Sequence, residues 1–86
     1  MLVTFNTVKR IIDDWDPVDL LITHAPPDEY DGESKEIFAI ISNNPNVGID
    51  ELSCLIYSIF TKAFGSDVFK QTKKDCEVIA QNIILK

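Results

Sequence analysis

Histidine, methionine and tryptophan each occur once in this sequence, cysteine twice and glycine three times. Two cysteines, Cys54 and Cys76, are too few for a disulfide framework. The start, MLVTFNTVKRIIDDW, brings acids directly after a short apolar pattern and has no small-residue cleavage site, so no signal peptide is expected. Both cysteines are therefore expected as thiols in a reducing cytoplasm. One histidine and two distant cysteines also fall short of the three or four ligands a zinc site needs. No apolar run approaches the roughly 18 residues of a membrane span. There is no glycine-rich phosphate loop and no dinucleotide fingerprint. Strict apolar–polar alternation is almost absent, which argues against strands.

Positive charge is scarce too. Eight Lys and Arg face fourteen Asp and Glu, for a net charge of −6. Between residues 13 and 36 nine acids stand against the single base Lys35. Such a stretch repels phosphate, so nucleic acid is not an expected partner. From residue 62 onward five lysines outnumber three acids, in positions that read as solvated helix surface.

What is present suffices for one helical domain over residues 1–86, the size of a single folding unit. The hydrophobic share of 45% excludes a fully disordered chain. A chain this short buries only about 60–65% of the surface its unfolded form exposes, so the core has little surplus. Phe5, Val8, Ile12 and Trp15 recur at helical spacing with Ile11 beside them, predicting an amphipathic helix over residues 4–14. Ile37, Phe38, Ile40 and Ile41 mark a helix that the asparagines around Pro45 stop near Asn43. Ile49, Leu52, Ile56, Ile59 and Ala63, widened by Leu55, Tyr57, Phe60 and Phe64, predict a central helix. Gly48 would cap it, Val47 and Leu52 would staple it, and Gly65 would close it in a left-handed conformation. A last helix, capped by Ser66 or Asp67, would carry Phe69, Thr72, Cys76, Ile79 and Ile83 inward. The expectation is an all-α chain: a compact bundle of four main helices plus one short helix, with short connections favouring antiparallel neighbours.

The short helix is predicted within WDPVDLLITHAPPDEYDGE, residues 15–33, which holds six carboxylates and three prolines around the only Trp and the only His. Asp16 fits an N-cap, Pro17 the first helical position and Asp19 the third, giving a helix over residues 17–23. Trp15 would pack on Leu20 across the cap. Pro26 would end that helix, and Asp31 would cap the next one.

The same residues carry a resemblance. Trp15-Asp16-Pro17, an aliphatic segment, then Ala25-Pro26 and Asp28-Glu29-Tyr30-Asp31 resemble the signature of the YugE-like family of small helical proteins from Bacillus and related bacteria. Gly32 stands where that family often has proline, and the second half agrees only as apolar helices. The resemblance implies a compact all-helical fold in the bacterial cytoplasm. It carries over no catalytic residue, cofactor or activity.

The acidic stretch invites three chemical readings. In an EF-hand with Gly32 at the sixth loop position, Pro27 and Phe38 would fall at the first and twelfth, and neither supplies a side-chain oxygen. A looser carboxylate site for a divalent ion has no defined ligand set. Acid–base work by paired carboxylates would require one of them to be buried. Asp28 and Glu29 are the loop acids that capping leaves unexplained, with Tyr30 adjacent and His24 nearby. Tyr30 can also latch the loop by bonding a carboxylate or a backbone group, and His24 suits a helix C-terminus electrostatically. Folding roles are favoured for both, and for Trp15, read as a core plug rather than an anchor for a partner. Cys76 lies in an apolar stripe, where thiols are inert, whereas Cys54 lies on the other side of its helix.

The function expected is therefore non-enzymatic: a small acidic module that binds another protein, as an inhibitor or immunity-type protein or by self-association, without a metal or cofactor. His24, Asp28, Glu29 and Tyr30 are the candidate binding residues. Trp15, Asp16, Pro17, Pro26 and Asp31 are expected to be structural. The alternatives are a metal-dependent or acid–base enzyme built on residues 28–31, and a scaffold assembling through the central helix and Cys54.

Overall fold

The computed structural model describes residues 3–20, 22 and 28–85. Among them the regular elements are four helices, with no strand. Helix α1 (Phe5–Trp15) is capped by Thr4, whose hydroxyl accepts from the Thr7 amide at 3.2 Å. Val8 and Ile12 are fully buried, Ile11 and Trp15 lie at the edge of the core, and half-buried Phe5 packs on Phe38.

The chain leaves α1 differently from the sequence expectation. Asp16 is the C-cap of α1, not the N-cap of a short helix, and takes the left-handed conformation (φ 47°, ψ 61°). Asp19 is left-handed as well (φ 59°). Two such residues within four positions are incompatible with a right-handed helix, and residues 17–20 form turns and a bend. Aspartate tolerates this backbone because its short polar side chain bonds locally. The turn closes through the Asp19 amide on the Asp16 carbonyl at 3.0 Å. The rest of the expected short helix falls mostly on residues outside the described ones, as do His24, Ala25, Pro26 and Pro27.

Helix α2 (Asp31–Asn43) begins one residue earlier than expected. Tyr30 occupies the N-cap without a side-chain cap bond, and Asp31 is the first helical residue. Its carboxylate is drawn instead to Lys9. Helix α3 (Ile49–Phe64) follows Gly48 as read from the sequence, with Val47 and Leu52 both in the core. Ala63, expected in its buried stripe, is exposed; Phe60 takes the centre.

Gly65 ends α3 with positive φ, as expected, but its ψ is extended (φ 82°, ψ 155°). That region is essentially closed to other residues. A Cβ there would meet nothing within 4 Å, so substitution strains only the backbone. Gly65→Ala is expected to cost about 1–3 kcal/mol in urea denaturation; an unchanged midpoint would contradict this geometry.

The carbonyl of Gly65 accepts from the Val68 and Phe69 amides, making one helical turn that stops. It folds Phe69 back onto the core. The last helix is thus not capped at Ser66 or Asp67, because Thr72 and Asp75 form a reciprocal capping box and start α4 (Lys73–Ile84) there. Cys76, Ile79, Ala80 and Ile83 are its buried side, and Thr72 belongs to the cap rather than the stripe.

The helices pack in a ring: α1 on α2 and α4, α3 on α2 and α4. The radius of gyration, 11.9 Å, equals the roughly 12 Å of a compact chain of this length. Phe60 fills the middle. Its ring stacks on Phe69 at 5.5 Å and on Phe64 at 6.1 Å, and receives the edges of Trp15 at 5.6 Å and Tyr30 at 6.1 Å. Among the described residues no helix is long and apolar enough to cross a membrane.

Candidate functional site

Asp16 and Tyr30 meet across fourteen positions of sequence. The left-handed turn at Asp16 aims its carboxylate back over the loop, and the helical start at Tyr30 drives its ring inward. The ring is completely buried, edge-on to Phe60 and Phe64. Its hydroxyl donates to Asp16 Oδ1 at 2.6 Å and accepts from the Val18 and Leu20 amides, each at 3.3 Å. The other oxygen, Oδ2, accepts from the Ile22 amide at 2.9 Å. One carboxylate and one phenol thus hold the backbone amides of Val18, Leu20 and Ile22.

Burial pushes the Tyr30 phenol up to about 12, and its bond to the Asp16 carboxylate adds to the rise; the amides of Leu20 and Val18 oppose it. At neutral pH the group is a fixed donor, not a proton exchanger. Pro17, buried beneath this turn, offers its carbonyl to Gln71 Nε2 at 3.1 Å, which ties the loop to the approach of α4. Trp15 packs edge-on against Phe60 and, at 6.1 Å, against Phe69.

Asp31 belongs to a second tie. Lys9 Nζ bonds Asp31 at 2.7 Å and Asp13 at 3.0 Å, bridging α1 and α2. The pair with Asp31, then that with Asp13, holds the Lys9 ammonium above its ordinary range. Asp28 and Glu29 are exposed, in the turn closed by the Asp31 amide on the Asp28 carbonyl at 3.1 Å. The structure therefore joins Tyr30 to Asp16 and separates both from the exposed Asp28 and Glu29. His24 and Pro26 lie outside the described residues.

Three features were not singled out from the sequence. Two are Lys9 and Gln71, which only the tertiary fold brings to their partners. The third is a groove of about 220 Å3 between α2 and α3, lined by Glu33, Glu36, Ile59, Lys62 and Ala63. Of the cysteines, Cys76 is buried and its thiol pushed up to about 12, chiefly by burial. Cys54 is exposed on α3, beside Lys73. Among the described residues no three His, Cys, Asp or Glu side chains gather closely enough to hold a metal ion.

No family model, curated protein or solved structure matches this chain.

Proposed function

We propose that this chain is a compact helical bundle that acts by binding a basic protein, with the acids of residues 13–36 as its contact face. The observation that carries this reading is the division of labour within that segment. Asp16, Tyr30 and Asp31 are engaged in internal bonds, whereas Asp14, Asp28, Glu29 and Glu36 are exposed. Exposed acids of one sign steer an oppositely charged partner and speed encounter. An acid–base enzyme built on residues 28–31 would need Tyr30 as a mobile proton carrier, and the bond to Asp16 argues against that use. Two forms of the reading follow from size and charge: an inhibitor or immunity-type protein masking a basic enzyme, or a self-associating module. The YugE-like resemblance belongs here as well, and with it a bacterial cytoplasmic setting.

The test is affinity capture from native cytosol, with size exclusion to detect self-association. Neutralising Asp28, Glu29 and Glu33 together (D28N, E29Q, E33Q) is expected to abolish capture that the wild type shows at low salt. Capture that survives the triple substitution unchanged would place the contact elsewhere.

A further inference from the structure

The groove between α2 and α3 has two halves of different chemistry. At one end Glu33 and Glu36 face Lys62, with Ile59 and Ala63 as the floor. Past Glu36 and Ile59 it continues into a second hollow of about 200 Å3 that adds Ile40, Leu55 and Ser58. Half-buried Ile40 and Leu55 and buried Ile59 therefore adjoin two carboxylates along the same groove.

Glu33 is the unusual member. Its Oε1 is shielded from solvent and, among the described residues, has no hydrogen-bond partner. A desolvated carboxylate oxygen without a donor is costly. Three other side-chain atoms are in the same condition. Asp13 has its second oxygen on Lys9, and Ser34 and Thr61 are neutral hydroxyls outside the groove lining. Glu33 is held above the ordinary carboxylate range, chiefly by burial, with Glu36 and Glu29 adding repulsion and its own backbone amide opposing the rise. The ion pairs among the described residues are those of Lys9, so Lys62 shares the groove without neutralising Glu33. The balance of charge around Oε1 is negative, and apolar surface lies alongside.

We propose that this groove receives a basic, amphipathic segment of a partner protein, a cationic side chain bonding Glu33 and Glu36 and a neighbouring apolar side chain resting on Ile40 and Leu55. A cation placed there would supply the donor that Oε1 lacks and relieve the repulsion from Glu29 and Glu36. The inference rests on the acidic segment being a protein-binding face, and locates the recognition point within it.

The test is a titration of the isotope-labelled full chain, followed by NMR, with a short capped peptide of leucine and arginine. The same peptide with citrulline for arginine is the neutral control. Amide shifts are expected at Glu33, Glu36, Ile59, Lys62 and Ala63. E33Q should weaken binding roughly tenfold, the worth of a hydrogen bond to a charged group. K62Q, which removes the competing cation, should strengthen it by about two- to threefold. The variant D28N/E29Q should weaken it by no more than about threefold. Equal losses for E33Q and D28N/E29Q, with shifts spread over all the acids, would overturn the groove and leave the acidic face standing. Binding that ignores every acid substitution, or is absent in the wild type, would overturn both. Magnesium chloride alone reproducing the groove shifts, with the same loss in E33Q and no response to peptide, would make this a divalent-cation site and overturn the proposal.

Discussion

Tyr30→Phe, which removes a single oxygen, is expected to lower stability by about 2–4 kcal/mol. The ring would stay in place against Phe60 and Phe64, so packing is preserved. What disappears is a donor to the Asp16 carboxylate and the acceptor shared by the Val18 and Leu20 amides. Hydrogen bonds to charged groups are worth about 1.5–3 kcal/mol, and buried backbone groups that lose a partner add to the loss. At about 4–8 °C per kcal/mol for a domain of this size, Tm should fall by roughly 8–32 °C. A phenylalanine variant within a degree of the wild type would mean that the loop is held by other contacts.

The same phenol gives a pH dependence whose sign is fixed. Folded Tyr30 keeps its proton up to about 12, against an ordinary value of 10.0. Between these values the unfolded chain has lost the proton and the folded chain retains it, so the unfolded state binds fewer protons and stability falls as pH rises. Below 10 the contribution is fully present. Denaturation midpoints measured from pH 9 to 12 should therefore drop more steeply for the wild type than for Tyr30→Phe.

Phe60→Ala is expected to have the largest effect of any single change, about 3–5 kcal/mol. At 0.05–0.15 kcal/mol per residue, a chain of this length has a total stability of roughly 4–13 kcal/mol. The substitution would therefore consume much of it, and at the lower end would unfold the protein. The reason is position: Phe60 is fully buried and touches Trp15, Tyr30, Phe64 and Phe69, from α1, the start of α2, α3 itself and the following turn. Phe60→Leu keeps most of the volume and should lose less than about 1.5 kcal/mol. Thermal unfolding followed by circular dichroism separates the two. Equal effects would show that the aromatic cluster is not the centre of the core.

The helices were legible because their signals are local. Val8 with Ile12, Ile37 with Ile41, Leu52 with Ile56 and Ile59, and Cys76 with Ile79 and Ile83 all stand at helical spacing, and all are buried. Gly48 and Gly65 mark both ends of α3 for reasons the backbone alone supplies. Where capping signals competed, the sequence misled. Asp16-Pro17-x-Asp19 satisfies the grammar of a helix start, yet Asp16 is used by Tyr30, fourteen residues away, and no local rule weighs that bond. Ser66 and Asp67 are acceptable caps as well, but burial of Phe69 against Phe60 moves the start of α4 to the stronger reciprocal box at Thr72. Ala63 fits the apolar stripe of α3 and is nevertheless exposed, since it faces the groove rather than a neighbouring helix.

The candidate site was legible in composition and not in arrangement. Residues 28–31 stood out as acids with a tyrosine, but the pairing that separates folding from binding runs between Tyr30 and Asp16 on one side and exposed Asp28 and Glu29 on the other. Glu33 is a first-turn acid of α2, and its desolvation depends on α3, which no spacing rule brings against it.

That Asp16 and Tyr30 form one structural unit is tested most directly by a double-mutant cycle of Asp16→Asn and Tyr30→Phe, read as unfolding free energy in urea. If the two side chains act together, the double variant should cost little more than the worse single one, giving a coupling of at least about 1 kcal/mol. Single losses that simply add, to within about 0.3 kcal/mol, would show that the carboxylate and the phenol do not hold the loop together.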